Sequence, residues 1–157
     1  MSRYTDNRGQ LLGVFSMGEE VIIVKEIMNS PPITIDIEES VIRAAKVMAE
    51  NKIGCVIVTD RKGKPVGIVT RRDLVEKVLA KAKDPFKTKV RDVMSSPLTY
   101  VSPNTPVFEA AKLMSRKDIR HLPVIDVNGL VGVVSDRDIL TVAPEYIELI
   151  MVRKGSF

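Results

Sequence analysis

The sequence predicts an α/β fold of the α+β type: two tandem repeats, each a small mixed sheet with helices on one face, packed with pseudo-twofold symmetry. Three observations carry this reading. The stretches "VKEIMNSPPITIDIEESVIRAAKVMAENKIGCVIVTDRKGKPVGIVTRRDL" from Val24 and "VRDVMSSPLTYVSPNTPVFEAAKLMSRKDIRHLPVIDVNGLVGVVSDRDI" from Val90 match element by element, with one deletion in a turn. Inside each copy the apolar residues keep helical spacing in one place and form short β-branched runs in another. Each copy, at about 50 residues, is too small to bury an adequate core alone, so the copies must pack together.

The elements follow in order. A short extended piece, Ile33 to Ile35 or Leu98 to Val101, opens each copy. Val41, Ala44, Ala45 and Met48, repeated as Val107, Ala110, Ala111 and Met114, then fall at i, i+3, i+4 and i+7, one face of a helix. In the second copy Thr105 is read as its N-cap, with Pro106 at the first helical position. "CVIVTD" and "LPVIDV" are followed by a turn carrying Gly63 or Gly129 and by "VGIV" or "VGVV", a hairpin signature. A second helix is expected over Asp73 to Leu79 and from Asp138 to Leu140. Hairpin and crossover connections in one copy imply a mixed sheet. The segments are therefore 1–23, an N-terminal extension; 24–83, the first repeat; 84–143, the second; and 144–157, a helical tail.

Composition narrows the class. Apolar residues make up 45% of the 157 and aromatics 4%, so the interior must be built from Val, Ile, Leu, Met and Ala. No apolar run has the length of a membrane span and "MSRYTDNRGQ" lacks a signal-peptide core, which leads to the expectation of a cytoplasmic protein with no membrane partner. The single cysteine, Cys55, cannot form an internal disulfide, and with one histidine, His121, no protein-built zinc site is expected. Between Arg71 and Arg91 stand eight Lys or Arg against Asp73, Glu76 and Asp84. Such a run is ordinarily a solvated face, and the alternative is a patch for the phosphates of nucleotides or nucleic acid.

The phrase that ends each copy, "GIVTRRD" at Gly67 to Asp73 and "GVVSDRD" at Gly132 to Asp138, holds the chemistry. Thr or Ser followed three residues later by an acid is a capping box, the structural reading of these letters. The glycine before it signals a bulge or a close approach to the strand. A hydroxyl at the cap can donate to a phosphate, and a carboxylate one turn in can accept from a pair of sugar hydroxyls. Together they describe a nucleotide.

The doubled pattern "M-x-x-x-P…A…M…I…V-x-D…G…V-G-[IV]-V-[TS]-x-x-D" resembles a tandem pair of cystathionine-β-synthase (CBS) domains, the Bateman module, over residues 24 to about 143. The resemblance implies two clefts between the repeats that bind AMP, ADP, ATP or, in some members, S-adenosylmethionine, and it implies no bound cofactor. It places Asp73 and Asp138 on ribose hydroxyls, with Thr70 and Ser135 by the sugar or phosphate. The Asp138 cleft would draw on Ile33, Thr34, Cys55 and Val56, and Asp73 would face Thr99, Tyr100, His121 and Leu122. In the second copy "IRHLP" puts Arg120 and His121 beside a cleft, where Arg120 with Arg137 could neutralise a phosphate. Tyr100 stands where the first copy has Thr34, to stack on an adenine or to block the pocket. Cys55 reads as a small buried hydrophobe.

Outside the repeats, "QLLGVF" and "EEVIIV" fit a short strand and the start of a helix. In the tail Tyr146, Ile147, Ile150 and Met151 share a helical face that must cover its own module or a second subunit, and the family resemblance implies a homodimer formed through helices. With no nucleophile or acid–base set in view, the reading is not an enzyme. It is a regulatory module that senses adenosine nucleotide and signals to an unidentified effector protein. The alternatives are an S-adenosylmethionine sensor and a nucleic-acid-binding protein that uses the basic 77–91 segment.

Overall fold

A computed structural model of the chain describes residues 2–5, 11–15 and 21–151, the first two segments through their backbone alone. Strands β1 (Ser2–Thr5) and β2 (Leu11–Phe15) form an antiparallel pair. The strand expected in "QLLGVF" is β2, and the helix start expected in "EEVIIV" is a single 3₁₀ turn at Val24–Glu26.

The first repeat contains β3 (Thr34–Asp36), α1 (Val41–Asn51), β4 (Cys55–Thr59) and β5 (Pro65–Thr70). Its sheet runs β3-β4-β5, with β3 parallel to β4 and β4 antiparallel to β5, the expected mixture of crossover and hairpin. Ser40 caps α1 by accepting from the Arg43 amide, and the helix buries Val41, Ala44 and Met48. Helix α2 (Arg71–Asp73) follows β5 and continues as wider π-helical turns over Leu74–Leu79.

The second repeat contains α3 (Val107–Lys117), β6 (His121–Asp126), β7 (Gly129–Ser135) and α4 (Asp136–Val142), followed by α5 (Ile147–Met151). The extended piece expected at Leu98 to Val101 contracts to one parallel bridge, Val101 to Val124. The expected cap is also different. The Thr105 hydroxyl accepts from the Ser102 amide, and α3 starts at Val107 with no side-chain cap, because Thr105 is drawn into its own turn. Both hairpin turns use a glycine with positive φ, Gly63 at 78° and Gly129 at 113°, a region that costs glycine nothing. Both second helices begin earlier than the spacing suggested, at Arg71 and Asp136, since the acid of each phrase is the third helical residue rather than the first.

The core is exchanged between the copies. One buried cluster gathers Val107, Ala110, Ala111, Met114, Leu122, Val124, Val134 and Ile139 of the second repeat with Val24 from the segment leading into the first. The other gathers Ile35, Val41, Ala44, Met48, Val56, Val58 and Val69 of the first repeat with Val90 and Val93 from the segment leading into the second. Each leading segment then pairs with the opposite hairpin: Asn29 bridges Val133, and Ser95 bridges Ile68. These reciprocal bridges are the pseudo-twofold, and they cross the boundary between residues 83 and 84 drawn from the repeat alone. The tail covers its own module. Ile150 is in the second repeat's cluster and Tyr146 packs on Phe108 with ring centroids 5.3 Å apart, while Ile147 and Met151 stay half exposed.

The crossing segments explain the glycine of the repeated phrase. A Cβ at Gly67 would stand 2.5 Å from the Met94 sulfur, and one at Gly132 would stand 2.7 Å from the Met28 sulfur and 2.9 Å from the Asn29 carbonyl. What lies against each glycine is the methionine of the other copy's leading segment, and no ligand is needed to explain it.

Candidate functional site

The two capping boxes form as the letters suggested. At the end of β7 the Ser135 hydroxyl accepts from the Asp138 amide, and Asp138 Oδ2 accepts from the Ser135 amide at 2.8 Å and the Ser135 hydroxyl at 2.8 Å. At the end of β5, Thr70 and Asp73 repeat the arrangement, at 2.9 Å and 3.0 Å. Each hydroxyl therefore spends its proton on its own carboxylate and has none to give to a phosphate.

The carboxylates differ in what else holds them. Asp138 Oδ2 also accepts from the Asn29 amide at 2.9 Å, and among the described residues Oδ1 has no partner. Asp73 is 8% exposed and its Oδ1 holds the Lys77 ammonium at 2.8 Å, one helical turn on. In the repeat alignment Val142 stands where Lys77 does, so nothing on α4 can reach Asp138 Oδ1 in the same way.

Asp138 lies in a cleft of about 830 Å³ between the repeats. Its size falls within the roughly 300–1,000 Å³ of small-molecule sites. One wall is Asn29 to Ile33 with Lys52 to Cys55, and the other is Arg120 and His121 with Ser135 to Asp138, Leu140 and Thr141. Arg71, Val133 and Met151 complete the lining. Of four cations here, Arg120 is engaged by Asp136 at 3.3 Å. Lys52, Arg71 and Arg137 hold no ion pair among the described residues.

The seam is narrow beside the cleft. A Cβ on Gly54 would stand 2.9 Å from His121 Nε2 and 3.1 Å from an Arg71 guanidinium nitrogen, so glycine is what lets His121 and Arg71 lie against the start of β4. Burial, opposed by Asp136 and reinforced by Arg71, lowers the His121 pKa from its ordinary value. The ring is therefore neutral at pH 7 and able to accept a hydrogen bond. Burial pushes the Cys55 thiol up to about 12, which leaves it an inert apolar contact.

Among the residues singled out from the sequence, Ile33, Cys55, Arg120, His121, Ser135, Arg137 and Asp138 line the one cleft. His121 was placed opposite Asp73, but its ring faces the Asp138 cleft beside Gly54 and Arg71. Thr34 is exposed on β3 outside the lining, because successive residues of a strand point to opposite faces. Val56 and Leu122 have no exposure at all and belong to the two cores. Thr70 and Asp73 are held by each other and by Lys77, Thr99 is half buried, and Tyr100 is 56% exposed. Over the Asp73 side, Arg72 reaches across to Asp118 of the second repeat at 3.6 Å.

Asn29, Lys52 and Arg71 were missed. Arg71 was visible as the second letter of "TRRD", but its reach into the other repeat's cleft depends on the close seam at Gly54. Lys52 ends α1 with φ of 54°, a left-handed residue whose direction no spacing rule supplies.

Half of the basic residues from Lys77 to Arg91 are committed to partners. Lys77 holds Asp73 and the Val93 carbonyl, while Lys89 and Arg91 hold the two oxygens of Glu38 at 2.6 and 2.7 Å. No group of three or more metal-ligating side chains occurs among the described residues, and no helix there is long and apolar enough to cross a membrane.

Two α/β units that exchange leading segments around a seam cleft define a tandem regulatory-type module. The chain belongs to the CBS domain family, which matches it at residues 24–80 and 90–145 as a tandem pair, the Bateman module. It is 41% identical to an uncharacterized protein of Methanopyrus kandleri over 87% of this chain and 70% of that protein. A CBS domain protein of unknown function from Thermoplasma acidophilum superposes with a TM-score of 0.77 at 28% identity, over 83% of this chain and 75% of that one. A hexameric CBS-CP12 protein from bloom-forming cyanobacteria superposes with a TM-score of 0.75 at 35% identity, covering 83% of this chain and 77% of that chain.

Proposed function

We propose that the chain is a regulatory module that binds an adenosine nucleotide, AMP, ADP or ATP, in the Asp138 cleft. Binding there changes how the two repeats sit on one another and so alters affinity for an effector protein. The observation that carries the reading is Asp138 itself, which lines a cleft of nucleotide size while its Oδ1 has no partner among the described residues. A carboxylate oriented by three donors through Oδ2 and free at Oδ1 suits a ribose hydroxyl. His121 and the Cys55 and Ile33 wall suit a purine, and the cations suit phosphate.

The module is not an enzyme in this reading: the thiol is inert, and each hydroxyl is turned onto its neighbour's carboxylate. Transmission fits the architecture, because Asn29 ties the leading segment both to Val133 and to Asp138. A ligand that takes hold of Asp138 pulls on a segment whose Val24 anchors the core. Val75, Leu79, Val142 and Ile147 leave apolar area exposed on the second helices and tail, which fits a homodimer through these helices. The neighbour described as hexameric is consistent with assembly of such modules.

Isothermal titration with AMP, ATP and S-adenosylmethionine tests the reading. Heat with a nucleotide and a raised melting temperature are expected; no heat with any of the three and an unchanged melting temperature would overturn it.

A further inference from the structure

Among the differences between the two sides of the pseudo-twofold is one pair of equivalent positions at the seam. On the Asp73 side the pair is Arg72 with Asp118, an ion pair. In the alignment the equivalent residues on the Asp138 side are Arg137 with Lys52. The equivalence is structural too: Asp118 and Lys52 each terminate the first helix of their repeat in the left-handed conformation, at φ of 50° and 54°. Two cations at these positions repel, so the pair that spans the seam on one side cannot form on the other. Both cations line the cleft, together with Arg71.

We infer that Lys52 and Arg137 form a phosphate clamp, which makes the Asp138 cleft selective for nucleotides with two or three phosphates over AMP and unfavourable for S-adenosylmethionine. The inference rests on the nucleotide reading above and deepens it. Asp136 is offset by Arg120, and Asp138 keeps one negative charge for the sugar, so Lys52, Arg71 and Arg137 leave the cleft net positive toward the rest of a ligand. Three unpaired cations carry more charge than one monophosphate dianion neutralises, whereas a diphosphate or triphosphate brings enough negative charge to match them. A sulfonium meets the same three charges as repulsion, and its own carboxylate is only a partial offset.

Lys52 is also a position where substitution is structurally mild. Its backbone is left-handed, a conformation that Asp and Asn tolerate and that Asp118 already adopts at the matching site. Lys52→Asp would place across from Arg137 the same acid that faces Arg72 on the other side, and Lys52→Asn would remove the charge alone.

The experiment is titration of the full chain with ATP, ADP, AMP, adenosine and S-adenosylmethionine in magnesium-free buffer, with both variants alongside. Charge-assisted hydrogen bonds are worth on the order of 1.5–3 kcal/mol, so ATP and ADP should bind at least about tenfold tighter than AMP, with S-adenosylmethionine weakest. Lys52→Asp should lower ATP and ADP affinity to about that of AMP, a larger loss than any it causes for adenosine, with the melting temperature read alongside as the check on folding, and Lys52→Asn should fall between. AMP binding as tightly as ATP would overturn the clamp and leave the nucleotide reading standing. A phosphate preference that survives in Lys52→Asp would overturn the role of Lys52. Binding of none of the five would overturn both.

Discussion

The Asp73 and Asp138 helix starts are copies of one sentence that fold alike and end in different states. Both form the capping box, and both lie beneath a glycine pressed by a methionine from the opposite leading segment. Asp73 is then closed by Lys77 on its second oxygen and by the Arg72 to Asp118 pair across the seam. Asp138 has Val142 and Lys52 at the matching positions and keeps an oxygen and a cleft free. Two side chains thus give equivalent helix starts of a duplicated fold different surroundings, while the backbone of both stays the same.

The sharpest way to break the comparison is to remove each carboxylate. Asp138→Ala should weaken nucleotide binding by about 10- to 100-fold, the loss of charge-assisted hydrogen bonds worth roughly 1.5–3 kcal/mol. Asp73→Ala should leave affinity within a factor of two and appear in stability instead. It removes a cap worth about 1 kcal/mol and leaves Lys77 half buried without its acid. Calorimetric titration and thermal melts of both variants check this; equal losses of affinity would mean that the two starts are functionally equivalent. Val142→Lys sharpens the same point, since an ammonium one turn from Asp138 should lower affinity by closing Oδ1 as Lys77 closes Asp73.

A smaller effect is expected at the glycines. At Gly67 a methyl group meets only the flexible Met94 side chain, whereas at Gly132 it also meets the Asn29 carbonyl at 2.9 Å. Overpacking costs about 1–3 kcal/mol, and Gly132→Ala should lie at the upper end because backbone cannot swing away as a thioether can. Gly132→Ala should also weaken nucleotide binding, since the carbonyl it displaces belongs to the residue whose amide orients Asp138. Urea melts of the two alanine variants, with titration of each, separate these effects.

Much of this was legible before any coordinates. The repeat, the helical faces, the hairpins and the capping boxes are local statements, each decided by residues within a few positions of one another. The difference between Lys77 and Val142 is also plain in the aligned copies, and an (i, i+4) relation from Asp73 is a helix rule. The exchange of leading segments was not legible. Val24 and Val90 look like the first apolar residues of their own copies, and only long-range packing shows that each completes the other core. The close approach at Gly67 and Gly132 was signalled, but what approaches comes from another part of the chain. That His121 lines the Asp138 cleft was not legible from its pairing with Asp73 for a similar reason: the missing side chain of Gly54, in the other copy, leaves room for the ring there.

The smallest expected effect concerns the pair that spans the seam over Asp73. Arg72 and Asp118 are 60% and 54% exposed and 3.6 Å apart, and Arg72 already holds Glu76 at 2.8 Å. Exposed pairs of this kind are worth about 0.2–1 kcal/mol, so Asp118→Asn, which keeps a side chain that tolerates the left-handed backbone, should shift the melting temperature by about 4 °C at most. It should not create a second binding event either, because Lys77 still holds Asp73 Oδ1 beneath it. Only the double replacement of Asp118 and Lys77 removes both obstacles. A second nucleotide per chain in the single variant would show that the seam pair, and not the lysine, is what keeps the two sides different.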